Sequence, residues 1–372
     1  MLTSAPVHRR IAAAAPLLLC VTACGGGGSP GAPTPTAVYE LVAVVFYDEN
    51  GNGLADPGEL VHVPDVELQV GTRTARSDVS GRTVITGVPA GHPSVSVRTS
   101  TLPPFFAPPG AGVPAVVPQP AGNDVMVPLT LPIGGNVPNT YMGFGDSLTV
   151  GEGSSDDQGY RDRLRSKLIQ HLGRATIFNQ GISGTKSNSG VQRIDQSLRA
   201  NRPAYTLILY GTNDWNDNVC KTNFPCYTID SLRQMVRAAR FYQSLPVLAT
   251  ITPCNVGNDD RATPERQDWI ARMDVLIRTA AREEGAVLVD LEAAFLRQPN
   301  LGALFVDHVH PNDSGYEIMA TEFFNAITRP ATTGAMAEPS AVVAARSASR
   351  PSRVPAPPRI APRPRRDLVP GE

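Results

Sequence analysis

Ser147, Gly184, Asn213, Asp307 and His310 are residues whose types and order suit acyl transfer. Ser147 lies in Gly145-Asp146-Ser147-Leu148 and Gly184 in Gly181-Ile182-Ser183-Gly184-Thr185. Asn213 lies in Tyr210-Gly211-Thr212-Asn213-Asp214, and Asp307 and His310 in Asp307-His308-Val309-His310-Pro311-Asn312. A serine hydroxyl is a poor nucleophile until a neighbouring base takes its proton, and the acyl intermediate needs fixed donors for its oxyanion. The histidine and aspartate can serve as base and orienting partner, and the glycine N–H and asparagine amide as donors. A lone Gly-Asp-Ser-Leu carries little weight, because serine after aspartate also caps helices. Four blocks in order carry more, provided they sit in the right structural context.

This set of blocks resembles the SGNH hydrolases, also called the GDSL esterase/lipase family, over roughly residues 139 to 328. The resemblance implies that Ser147 attacks, His310 is the base and Asp307 orients His310. It further implies that the Ser147 N–H, the Gly184 N–H and the Asn213 side-chain amide hold the oxyanion, with Gly181 as a second candidate in its block. No cofactor is implied for catalysis. The expected function is hydrolysis of an acyl ester, whether of a lipid, an acylated glycan or a small molecule. A lipase or lysophospholipase of the same family is the alternative within that chemistry. A noncatalytic envelope carbohydrate-binding protein, with the esterase-like region as a scaffold, is the alternative outside it. A metal hydrolase using His308 and His310 lacks a second ligand cluster in the sequence.

The surrounding elements suit such a site. The segment entering Gly145 and the runs Ala175 to Phe178, Thr206 to Leu209, Pro246 to Ile251 and Ala286 to Leu291 read as buried parallel strands. Helical stripes alternate with them: Tyr160, Leu164, Leu168 and Leu172; Trp269, Met273, Leu276 and Ala280; Tyr316, Ala320, Phe323 and Ile327. Thr263 with Pro264 opens the second of these helices and Gly285 closes it. Such alternation predicts a parallel sheet covered on both faces, with active groups beyond the carboxyl ends of its strands. The family resemblance implies a flavodoxin-like three-layer α/β/α sandwich, and no Gly-x-Ser-x-Gly elbow surrounds Ser147. No long apolar insertion offers itself as a lid. Short acyl groups are therefore expected, with Trp215 and Phe224 as candidates to line a small acyl pocket.

Residues 1–24 read as an export signal. His8-Arg9-Arg10 precedes an apolar stretch too short for a lasting span, and Val21-Thr22-Ala23-Cys24 resembles the bacterial lipoprotein cleavage box. Lipidation of Cys24 would anchor the protein to a membrane of the bacterial cell envelope. Gly25 in place of an aspartate favours the outer membrane in a Gram-negative host, and plain secretion is the alternative. Residues 25–36 have the composition of a flexible tether. Of the remaining cysteines, Cys220 and Cys226 flank a short loop and suit a disulfide in an oxidising compartment, whereas Cys254 reads as a buried thiol.

Residues 37–131 read as a small all-β module, joined by a linker at 132–138 to the hydrolase region at 139–329. Asp48, Asn50, Asn52, Leu54 through its carbonyl, Asp56 and Glu59 have the spacing that arranges oxygen ligands around a structural calcium ion. Their flanks, Leu41 to Tyr47 and Val66 to Val70, look like strands, which excludes an EF-hand. With Asp78-Val79-Ser80-Gly81 and Gly87-Val88-Pro89-Ala90-Gly91, the module resembles the B-type prealbumin-like domains of bacterial surface proteins. A polar hairpin turn without metal is the alternative reading of the loop. Residues 330–372 form a Pro-, Ala-, Ser- and Arg-rich tail for which disorder is expected. A formal net charge of −1 and the absence of a nucleic-acid motif give no case for a nucleic-acid partner.

Overall fold

The computed structural model describes residues 36–330. The segment read as an export signal, Cys24, the segment read as a tether up to residue 35 and that read as a tail from residue 331 lie outside the described residues. The first third of the described chain is built on strands: β1 (Val38–Tyr47), β2 (Glu67–Val70), β3 (Arg73–Arg76), β4 (Arg82–Pro89), β5 (Ser94–Val97), β6 (Val113–Pro114) and β7 (Val125–Leu129). They form two sheets, of order β4-β1-β7 and β3-β2-β5-β6. Leu41, Ala43 and Val45 alternate inward along β1, and Leu68, Val70 and Val95 come from the other sheet, so the two faces enclose one apolar core.

A parallel sheet follows, built from β8 (Val137–Gly145), β9 (Thr176–Gly181), β10 (Pro203–Leu209), β11 (Leu245–Ala249) and β12 (Val287–Val289). Its order is β12-β11-β10-β8-β9, with every pairing parallel. Numbered within this sheet alone, that order is 2-1-3-4-5, the flavodoxin-like arrangement whose order reverses between β8 and β10. The helices are α1 (Ser147–Val150), α2 (Tyr160–Leu172), α3 (Ser187–Asn201), α4 (Asn218–Thr222), α5 (Thr228–Phe241), α6 (Pro264–Glu284), α7 (Leu291–Leu296) and α8 (Asp313–Thr328). Side chains of β10 alternate between layers. Tyr205, Leu207 and Leu209 join the core containing α2, α7 and α8, while Ile208, and Tyr210 just past the strand, join that containing α3, α5 and α6.

The expected caps of α6 are present: Thr263 accepts the Arg266 N–H, Pro264 stands at the start, and Gly285 closes the helix at φ +68°. Its stripe needs one correction. Leu276 is only partly buried and Ile277 takes the inward place, since positions three and four beyond Met273 both fit a 3.6-residue period. The strand expected to run to Leu291 ends at Val289, because Asp290 turns to cap α7 by accepting the Ala293 N–H.

The β-module meets the amino-terminal ends of β8 and β10. Asn139 donates from Nδ2 to Glu49 Oε1 at 2.6 Å, Tyr141 stacks on Tyr205, and Phe105 meets Tyr205 edge-on. One apolar core runs from the module into the adjoining layer of the sandwich. The carboxyl ends of the strands are left for the candidate site.

Candidate active site

β8 delivers the chain to Gly145, where a Cβ would stand 2.3 Å from the Leu209 carbonyl oxygen and 2.2 Å from Thr149 Oγ1. Only glycine allows this approach to β10. Asp146 then caps α1, its Oδ1 accepting the Leu148 N–H at 3.0 Å, and Ser147 becomes the first helical residue. Thus the strand order reverses beside the serine, at the position where open α/β sheets form their crevice.

The loop from Asp307 to His310 completes a hydrogen-bonded chain. Asp307 Oδ1 accepts the N–H groups of Val309 and His310, both at 2.8 Å, and Oδ2 lies 2.7 Å from His310 Nδ1. His310 Nε2 lies 2.9 Å from Ser147 Oγ. A carboxylate only accepts, so Nδ1 carries the proton and Nε2 is left to accept from the serine hydroxyl. Burial alone would raise the Asp307 carboxyl, but bonds from the His310 ring and from the His310 and Val309 N–H groups outweigh it and hold the group at about 2. Asn255 steadies the loop from behind, donating from its backbone to the His308 carbonyl and from its side chain to that of Asp307.

The oxyanion candidates converge on the same strand ends. Gly181 approaches α1 so closely that a Cβ would stand 2.6 Å from the Val150 nitrogen, which seats its loop over that helix. Gly184 is exposed at φ +71°. Asn213 Nδ2 donates to the Thr185 carbonyl at 3.1 Å and lies 3.4 Å from Asp146 Oδ2, joining three of the blocks. Among the described residues, neither the Ser147 nor the Gly184 N–H has a hydrogen-bond acceptor. Behind Asn213, buried Asp214 accepts from the Ser187 N–H and hydroxyl and from the Thr228 hydroxyl, fixing the starts of α3 and α5. Burial raises the carboxyl of Asp214, and it raises that of wholly buried Asp146 to about 7.

Other sequence candidates are placed elsewhere. His308 is buried beside Asp259 rather than in the chain to Ser147, and burial lowers its basicity, followed by the effect of Arg266. Both nitrogens of His310 are engaged by Asp307 and Ser147, which leaves none for the metal-hydrolase reading. Trp215 and Phe224 line an open cleft of about 410 Å³ with Lys221, Trp269 and Arg272, and no member of the Ser147–His310–Asp307 chain lines it. Cys220 and Cys226 are joined by a disulfide within that segment, and Cys254 is buried and free.

Two residues of the site were not singled out in the sequence. Arg193 donates to the Gly145 carbonyl at 2.9 Å and lies over the Phe144 ring. Glu152 places Oε2 3.3 Å from His310 Nε2. Its available signal was Gly151-Glu152-Gly153 shortly after the Ser147 block.

Residues 144–318 match the model of the GDSL-like Lipase/Acylhydrolase family. An arylesterase of Vibrio mimicus is 32% identical over 71 residues, which are 19% of this chain and 36% of that protein. An acetylxylan esterase of Geobacillus stearothermophilus is 28% identical over 206 residues, which are 50% of this chain and 91% of that protein. A crystal structure of acetylxylan esterase from the same organism has a TM-score of 0.43 at 23% identity, covering 52% of this chain and 95% of that one.

Proposed function

On the premise that the α/β sandwich is a GDSL/SGNH-family acylhydrolase, which the family model and the relatives support, we propose that the chain is a serine esterase. Its substrates are acyl esters. The observation that carries this reading is the unbroken chain from Ser147 Oγ through His310 to Asp307, with contacts of 2.9 and 2.7 Å.

In the proposed reaction His310 Nε2 takes the Ser147 proton as Oγ forms a bond to the ester carbonyl carbon. Charge moves to the carbonyl oxygen, which the Ser147 and Gly184 N–H groups and the Asn213 amide receive. Asp307 keeps Nδ1 protonated and stabilises the imidazolium without taking its proton. Collapse of the intermediate breaks the bond to the alcohol oxygen, which leaves with the proton from Nε2. Water then repeats the sequence on the acyl-enzyme and restores the serine. Turnover of an activated acetyl ester by wild type, and its loss in Ser147→Ala, is the test. Equal turnover by both would overturn the assignment.

The acyl group proposed is short. An acetyl ester is what the name of the Geobacillus relative indicates for that protein, and the cleft at Trp215 is set apart from the Ser147 chain. Each methylene gaining apolar contact would add about 0.8 kcal/mol, so a long groove would reveal itself as specificity rising with chain length. On a matched series kcat/KM should peak between acetyl and butyryl. A steady rise through decanoyl would replace this reading with a lipase or lysophospholipase.

Export with lipidation at Cys24 is proposed from the cleavage-box sequence alone, with the outer membrane as destination in a Gram-negative host. Mass spectrometry of the mature amino terminus tests it. For the loop at Asp48, calcium binding is proposed from the spacing of its oxygen-bearing residues, three of which touch: Asp56 Oδ2 lies 2.7 Å from Asn50 Nδ2 and 2.8 Å from Asn52 Nδ2. The Asn50 and Asn52 amide oxygens accept the Asn52 and Leu54 N–H groups, so a cation drawing them in would exchange those bonds for oxygen–cation contacts.

A further inference from the structure

Glu152 is held against the reacting atoms by its backbone. Its N–H donates to the Ser147 carbonyl at 3.1 Å, and the buried Tyr316 hydroxyl donates to its own carbonyl at 2.7 Å. The glycines on either side make this approach possible. Gly151 has φ +103°, and a Cβ there would stand 2.5 Å from the Gly159 nitrogen. Gly153 has φ +94°, and a Cβ there would stand 2.5 Å from the Pro311 carbonyl oxygen and 3.1 Å from His310 Cβ. A side chain at either position would push Glu152 away from Ser147 or from the histidine loop.

The carboxylate is held at one oxygen and turns the other towards His310. Ser183 donates its hydroxyl to Oε1, and Oε2 lies 3.3 Å from His310 Nε2. The Glu152 side chain is 44% exposed, so it faces the open side of the site. Nε2 is the atom that must give its proton to the leaving alcohol oxygen. That oxygen therefore passes within hydrogen-bonding distance of Nε2 and within a few ångströms of Glu152.

We infer that Glu152 is a specificity-determining residue for the alcohol half of the ester. It attracts alcohols bearing a cationic group near the ester oxygen and disfavours those bearing an anion. This deepens the esterase reading and rests on it. The charge carries the inference, because a carboxylate close to the substrate acts on it through Coulomb interaction.

The test uses three acetate esters on the same protein: of choline, of the neutral isostere 3,3-dimethylbutanol, and of 4-hydroxybutanoate. The readout is the ratio of kcat/KM for each charged ester to that for the neutral one, so a general loss of activity cancels. In Glu152→Gln the cation-to-neutral ratio should fall about tenfold and the anion-to-neutral ratio should rise by a similar factor. Glu152→Asp, which keeps the charge, should retain most of the wild-type discrimination. Ratios unchanged in Glu152→Gln would overturn the inference while leaving the esterase reading intact. Absence of turnover of all three esters by folded wild type would overturn the esterase reading, and the inference with it.

Discussion

The loop from Asp48 to Glu59 and the loop from Asp307 to His310 both use carboxylates to collect backbone N–H groups. In the first, Asp48 accepts from Gly51, Asn52 and Gly53, and Glu59 accepts from Glu49, Asn50 and Asp56. These bonds close within the loop itself. In the second, Asp307 spends one oxygen on Val309 and His310 and keeps the other for the His310 ring, which reaches Ser147 across 163 positions of sequence. Aspartate beside a turn is thus common to both loops. What separates them is one acceptor oxygen, turned towards a ring that passes the interaction on to the Ser147 hydroxyl.

Removing that relay should have the largest effect. Ser147→Ala and His310→Ala are each expected to lower turnover by about 10^4 to 10^6, and the double variant should lose little more, because triad members act as a unit. Additive losses measured in single-turnover kinetics would mean that the two side chains work separately. In that case the loop at His310 would be as structural as the loop at Asp48.

Asp307→Asn should cost about 10^4 in turnover by favouring the wrong histidine tautomer. It also has a pH signature. The folded-state value of about 2 lies below the ordinary unfolded value, so the carboxylate contributes stability that is present above about pH 4. That contribution is lost as pH falls towards and through about 2. The stability advantage of wild type over Asp307→Asn should therefore shrink across this interval in acid-denaturation curves. A constant difference would contradict the hydrogen-bonded carboxylate.

Asn213→Ala is expected to lower turnover by about 10^2 to 10^3 with little change in KM, as for the loss of one oxyanion donor. Its amide is held by Thr185 and lies beside Asp146, so it is placed before substrate arrives. A rise in KM with unchanged turnover would assign the amide to ground-state binding.

The sequence discloses the Asp307–His310 loop better than it discloses the rest of the candidate site for physical reasons. Asp307 and His310 are three residues apart, so a short turn fixes their contact, and Ser147 lies at a strand-to-helix junction marked by Gly145 and Asp146. Thr263, Pro264 and Gly285 mark their helix through local backbone preferences in the same way. Glu152 is different. Its position against His310 depends on the Tyr316 hydroxyl 164 residues away and on the close approach of Gly153 to Pro311. No periodicity announces either contact. The parallel pairing of β1 with β7 is hidden for the same reason, as it joins segments about eighty residues apart with no local turn between them.

The smallest expected effect falls on the first loop and asks whether it is as self-contained as its hydrogen bonds suggest. If calcium binds there with the affinity of extracellular modules, about 10^-4 to 10^-3 M, then about 10 mM calcium should add roughly 1.4 to 2.7 kcal/mol to stability. Glu49, inside this loop, accepts from Asn139 on β8, and the module shares its core with the sandwich. The gain should therefore appear as a rise in one cooperative melting transition, with ester turnover at low temperature unaffected by chelator. Asp48→Ala, which removes the acceptor for three N–H groups, should lower the melting temperature and abolish the response to calcium. Coincident melting curves in calcium and chelator would leave residues 48–59 as a polar turn whose carboxylates serve only its own backbone. A calcium-dependent transition separate from the main one would show that the module unfolds alone despite the shared core.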